Sequence, residues 1–307
     1  MLRYIFFRIF QASLTVWVVV SVIFILGRTT GDPVEMMLAL EATEEQRIQV
    51  RQSLGLDEPL IVQYGIYMGR LARFDFGKSL ISKTPVGSLI GERLIKSLQL
   101  AGFSMLVTLI FAFPLGVISA VRRGSGIDVL ARLVAVLGQS LPHFWVGLML
   151  MEVFAVRLRW LPVGGADNLK AYVLPGFTMG WFITAGIMRL MRSCMLEVLG
   201  TDYVIFARVK GVRRSSVIWK HALRNALLPV VTFSGMYFAL LIGGSVVIET
   251  VFAWPGIGRL ATLAVVDRDF TVIQGVVIVI AAIVAAVNLI VDIVYYWIDP
   301  RIRLIKQ

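Results

Sequence analysis

Phe270 to Val291 reads FTVIQGVVIVIAAIVAAVNLIV, 22 residues without one aspartate, glutamate, lysine or arginine. At 1.5 Å of rise per residue, a helix of that length crosses a hydrocarbon core of about 30 Å. Only a helix or a closed barrel can satisfy its backbone there. Five more stretches are equally free of charge: Ile9 to Leu26, Ser97 to Val121, Leu133 to Met151, Ala171 to Met188 and Asn225 to Ile248. Summed insertion energies of about −0.3 to −0.6 kcal/mol per Leu, Ile, Val or Phe outweigh one acid near a span end, such as Glu152 or Asp292. The expected fold class is therefore all-α, a polytopic membrane protein with six transmembrane helices at 9–26, 97–121, 133–156, 171–191, 225–248 and 270–297.

Composition agrees. Of 307 residues 58% are hydrophobic and 16% charged, too apolar for a chain whose only solvent is water. A net charge of +11 would suggest nucleic acid in a soluble protein, but here the bases sit in short loops between apolar spans, so no nucleic-acid partner is expected. The first span is preceded by Arg3 and Arg8 like a signal peptide. It is nevertheless longer than a usual apolar signal core, and no clear small-x-small cleavage site follows before Gly31-Asp32-Pro33, so it reads as an uncleaved helix.

Six spans place both termini on one side. The loops on that side, with the termini, carry 16 basic residues against four acidic, and the loops opposite carry 14 against 12. The positive-inside rule then makes the termini and the 192–224 loop cytoplasmic and the 28–96 segment extracytoplasmic. That outer segment should fold as a small cap, with an amphipathic helical pattern from Thr43 to Leu54 behind a threonine cap. Pro114, Pro142, Pro175 and Pro229 fall in spans two to five, as kinks tolerated by neighbouring helices or as bends that open a cavity for substrate.

Motifs for chemistry are wanting. Phe76-Gly77-Lys78-Ser79 resembles the end of a phosphate-binding loop, yet the earlier glycine it requires is Ala72, and it lies on the side away from cytoplasmic ATP. Neither H-E-x-x-H nor G-x-S-x-G occurs, and Cys194, His143 and His221 are isolated, so no catalytic residue, metal site or bound cofactor is expected. Glu152 and Glu249, near the outer ends of spans three and five, are candidates for the substrate path or its gate, since acids at membrane depth are costly. The plainer alternative is an acid at the interface, paired with an arginine such as Arg157 or Arg259.

The basic inner loop carries the most specific pattern. Tyr203 to Val231, YVIFARVKGVRRSSVIWKHALRNALLPVV, resembles the cytoplasmic Glu-Ala-Ala loop of binding-protein-dependent ABC importers, in the form found in dipeptide and oligopeptide permeases. At the triplet positions stand Ile205, Phe206 and Ala207, and the following glycine is Gly211. The similarity extends to GDP at 31–33, LGLDEPLIVQY at 54–64, FGKS at 76–79, VFAWPGIGRL at 251–260 and DPRIR at 299–303. Together these resemble the first of the two permease subunits of peptide importers, a subunit type that glutathione, nickel and some oligosaccharide importers share.

The resemblance implies a non-catalytic subunit of the bacterial inner membrane, forming half of a translocation path for di- or oligopeptides. Its implied partners are a homologous second permease, two cytoplasmic ATPases that use ATP and Mg2+, an extracytoplasmic solute-binding protein, and the lipid bilayer. It also singles out Tyr203, Ala207, Arg208, Lys210, Gly211 and His221 as the ATPase-coupling loop. A short helix over about Val204 to Gly211 would project into the cytoplasm, with Arg208, Lys210, Arg213 and Arg214 facing an acidic rim. A stand-alone secondary transporter is the competing reading, and a membrane-bound enzyme a more distant one.

Overall fold

The computed structural model describes residues 2–29, 43, 45, 51, 57–244 and 246–298. The amphipathic pattern expected at Thr43 to Leu54, the GDP at 31–33 and the DPRIR at 299–303 lie outside these residues, wholly or in large part. Among the described residues the regular structure is helical, relieved only by an isolated bridge between Lys78 and Pro85. The chain divides into two compact units, one of residues 1–95 and 256–285, the other of 96–255 and 286–307.

The first unit contains α1 (Leu2–Thr29), α2 (Leu60–Ala72), the start of α3 (Val86–Val121), α10 (Ile257–Val266) and the first half of α11 (Phe270–Ile298). Its core joins Val86 and Ile90 to Ile257, Ala264, Val272 and Val276. Gly275 is what allows that approach, because a Cβ there would lie 2.8 Å from Val86 Cγ1. Phe24 of α1 packs against Tyr64 and Tyr67 of α2, with ring centroids 5.3 and 5.5 Å away. The two helices also share a hydrogen bond of 2.7 Å between the Ser21 and Tyr64 hydroxyls.

In the second unit α6 (Val173–Leu199) is central: 67% of its most apolar window is buried, against 11% for the first and last spans. The reason lies in its small residues. Without a hydrophobic drive between helices inside a bilayer, close packing needs backbones to approach. A Cβ on Gly180 would meet Ser104 O of α3 at 3.1 Å, and one on Gly138 of α4 (Gly126–Ser140) would meet the Ala185 Cβ at 2.8 Å. Thr108 donates to the Gly180 carbonyl at 3.2 Å across the same contact.

The third stretch departs from expectation. Instead of one helix over 133–156 there are two, α4 and α5 (His143–Leu150), the latter continuing as a π-turn over Met151–Arg157, and they are bent by 104° to each other. Leu141 is extended at ψ 133° because the ring of Pro142 excludes the helical region from the preceding residue. Pro114 and Pro229 lie inside continuous helices, α3 and α8 (Leu223–Gly244), while Pro175 sits in the first turn of α6, where its missing N–H costs nothing. Among the described residues five helices are long and apolar enough to cross a membrane, and six spans result when the bent pair counts as one.

Candidate functional site: the helical loop after the central span

The segment read as a 192–224 loop is largely helical. α6 runs unbroken to Leu199, and after Gly200 and Thr201 the chain enters α7 (Asp202–Val209). The backbone then ends that helix by sequence logic. Gly211 adopts φ +77°, its N–H bonds the Arg208 carbonyl at 3.0 Å, and the Val212 N–H bonds the Ala207 carbonyl at 3.1 Å. These two bonds are the Schellman motif, with glycine at the left-handed position where a Cβ is strained. A Cβ on Gly211 would meet nothing within 4 Å, so the glycine serves the turn and not a close contact within the chain.

What α7 shows to its surroundings is apolar. Only Val204 is buried, while Phe206 and Val209 are 64% and 79% exposed, flanked by exposed Arg208 and Lys210 and half-buried Ala207. Tyr203 has a structural tie: its hydroxyl oxygen accepts from the Asn225 side-chain amide at 2.6 Å, fixing α7 to the root of α8. Between them lie a turn at Arg214–Ser216 and a π-turn over Val217–Ala222 that holds half-buried His221. All six loop residues selected from the sequence thus fall on one compact helix–turn–π-turn element.

Glu152 and Glu249 have different surroundings. Glu152, in the π-turn, is 45% exposed and bonded by Arg157 Nε at 3.0 Å. Glu249, on α9 (Val246–Val251), is fully buried, and its Oε1 accepts from Ser97 Oγ at 2.6 Å. Beside it Trp254 donates its indole N–H to Lys96 O at 3.1 Å, and its ring meets Tyr172 edge-on at 4.6 Å.

A cluster that sequence reasoning assigned to a loop stands near the other end of α6. Asp128, buried in the first turn of α4, accepts from Arg192 Nε at 2.8 Å and a second guanidinium nitrogen at 3.1 Å. Ser119 Oγ donates to it at 2.6 Å and the Gly124 N–H at 3.0 Å. Two oxygens receive four bonds, so the pair ties α3, α4 and α6 with the carboxylate satisfied.

Residues 112–304 match the sequence model of the binding-protein-dependent transport system inner membrane component, and residues 1–101 match the N-terminal model of the same membrane components. The chain belongs to this family of inner membrane components. Members similar to it include the glutathione transport system permease protein GsiC of Escherichia coli strain K12 and of Salmonella typhimurium strain LT2, each 40% identical over 99% of this chain and 99% of the relative. The fold is also shared with solved transporters. The inward-facing MetNI methionine ABC transporter covers 69% of this chain and 96% of its own at 19% identity, with a TM-score of 0.59. An amino acid ABC transporter with histidines covers 70% and 94% at 16% identity, with a TM-score of 0.51. This inner membrane component is thus a multi-pass permease subunit of an ABC importer.

Proposed function

We propose that this permease forms half of a translocation path for short peptides, delivered by an extracytoplasmic binding protein, and is driven through α7 by a cytoplasmic ATPase. One observation carries the reading. α7 is a short helix, stopped by a left-handed glycine, that leaves Phe206 and Val209 in the open between two cations. Apolar side chains rimmed by positive charge suit insertion into a groove with an acidic edge. On this reading a homologous second permease completes the path, ATP and Mg2+ belong to two ATPase subunits, and this chain performs no chemistry of its own.

Glutathione is the second reading of the cargo, favoured by the 40% identity to permeases named for glutathione transport. It is itself a modified tripeptide. The test is to purify the chain with its ATPases and second permease, then add binding proteins loaded with dipeptides, oligopeptides, glutathione or nickel. Stimulation of ATP hydrolysis by peptide-loaded protein is expected. Stimulation by glutathione alone would move the assignment to the second reading, and failure of any ATPase to co-purify would remove the coupling role of α7.

A further inference from the structure

Within the first unit a cavity of about 300 Å³ opens where two spans reach the membrane surface: α1, whose apolar span ends at Arg28, and α11, whose apolar span begins at Phe270. α2 and the 75–80 loop complete its wall. That volume is at the small end of ligand clefts, room for a headgroup. The charged side chains in its lining are Arg28, Arg70 and Lys78 against a single acid, Asp75, which already accepts from the Gly77 N–H at 2.9 Å. The Tyr67 hydroxyl is buried and makes no hydrogen bond among the described residues. Burial pushes its pKa up to about 12, outweighing the nearby Arg28 charge, so at neutral pH it keeps its proton to donate.

The remaining wall is apolar, through Phe24, Ile66, Phe76 and Ile278. Phe10 and Trp17 lie exposed on α1 at seven-residue spacing from Phe24, on the face of the helix that lines the cavity, a greasy track leading away from it into the bilayer. A cationic, donor-bearing cup that opens onto an apolar rail matches an amphiphile with a negative head.

We propose that this cavity binds the phosphate headgroup of an anionic phospholipid, with Arg70, Lys78 and Tyr67 as donors and the acyl chains laid along α1. The shared chemistry is a phosphate, and the lipid is the source that the apolar track requires. The full chain, purified and delipidated in detergent, is titrated in native mass spectrometry with short-chain phosphatidylglycerol, phosphatidylcholine of the same chain length, or glycerol phosphate.

Phosphatidylglycerol is expected to bind roughly tenfold tighter than phosphatidylcholine, about 1.4 kcal/mol. Arg70→Gln with Lys78→Gln should erase that preference, and Tyr67→Phe should weaken phosphatidylglycerol binding about threefold, the size of one hydrogen bond lost. Arg70 and Lys78 are exposed, so the double variant should elute as the parent does and melt at the same temperature without lipid. Equal binding of the two lipids, or a preference that survives the double substitution, overturns the site. Glycerol phosphate competing as strongly as phosphatidylglycerol overturns the lipid and leaves a free-phosphate site.

Discussion

Asp128 shows how far a single residue can depart from its sequence reading. In the chain it is one acid among arginines, indistinguishable from a loop charge that balances its neighbours. In the structure it is 1% exposed and receives four hydrogen bonds, because Arg192 reaches it from a helix 64 residues later. Nothing local in sequence marks such a pair. Asp128→Ala should destabilise the protein by about 3–5 kcal/mol, since it strands a partly buried guanidinium, while Asp128→Leu with Arg192→Met should recover much of that loss. Thermal unfolding in detergent, followed by tryptophan fluorescence, measures both. Glu249 and Glu152 separate in the same way. Glu249→Gln keeps an oxygen for the Ser97 hydroxyl and should cost about 1 kcal/mol, whereas Glu249→Leu removes that hydrogen bond altogether and should cost more. Glu152→Gln loses only an exposed pair with Arg157, worth less than about 1 kcal/mol. If either glutamine variant instead alters transport rate or cargo preference while its melting temperature holds, that acid belongs to the substrate path.

Among the elements, α7 was legible and the bent third span was not. A glycine at 211 allows either a sharp turn or a tight contact, since it alone accepts the left-handed backbone cheaply and carries no side chain, and the structure supplies the two bonds that make it a turn. Since a Cβ there meets open space, the penalty of a side chain is strain alone, about 1–2 kcal/mol for a bulky residue. Gly211→Leu should therefore weaken ATPase co-purification at normal membrane levels, and Gly211→Asn, which tolerates the left-handed region, should restore it. Lys210→Ala should cost less than about 1 kcal/mol of association. A Gly211→Leu protein that keeps its ATPase and transports normally would refute the role given to this element. Pro142, by contrast, sits in an uncharged run where apolarity promises one helix. Whether a proline merely kinks or fully breaks such a helix is decided by packing. Here Leu141 and Pro142 leave the helical region together and the chain turns by 104°.

At the scale of the whole molecule, the expected topology can be probed directly. In a Cys194→Ser background, Arg213→Cys should react with thiol reagents only from the cytoplasm, and Lys83→Cys, exposed beside the FGKS loop, only from outside. Labelling of Arg213→Cys from outside alone would invert the assignment. The FGKS loop, rejected as a nucleotide site, has a different duty. Ser79 Oγ donates to Asp269 at 2.5 Å and the Leu80 N–H does so at 3.0 Å, while the other oxygen of Asp269 caps the first turn of α11 through Val272 N at 3.2 Å. The carboxylate that starts the last span therefore holds a segment 190 residues earlier in the chain. Synthesis proceeds in that order. At roughly 5–20 residues per second, a ribosome needs about 10–40 s to deliver Asp269 after Ser79 has emerged. Throughout that interval Val86 and Ile90 lack Val272 and Val276, their partners on α11. The first unit is thus an unfinished object until the start of α11 has been made, and a nascent chain stalled before Phe270 would present quality-control proteases with an N-terminal unit whose core lacks Val272 and Val276.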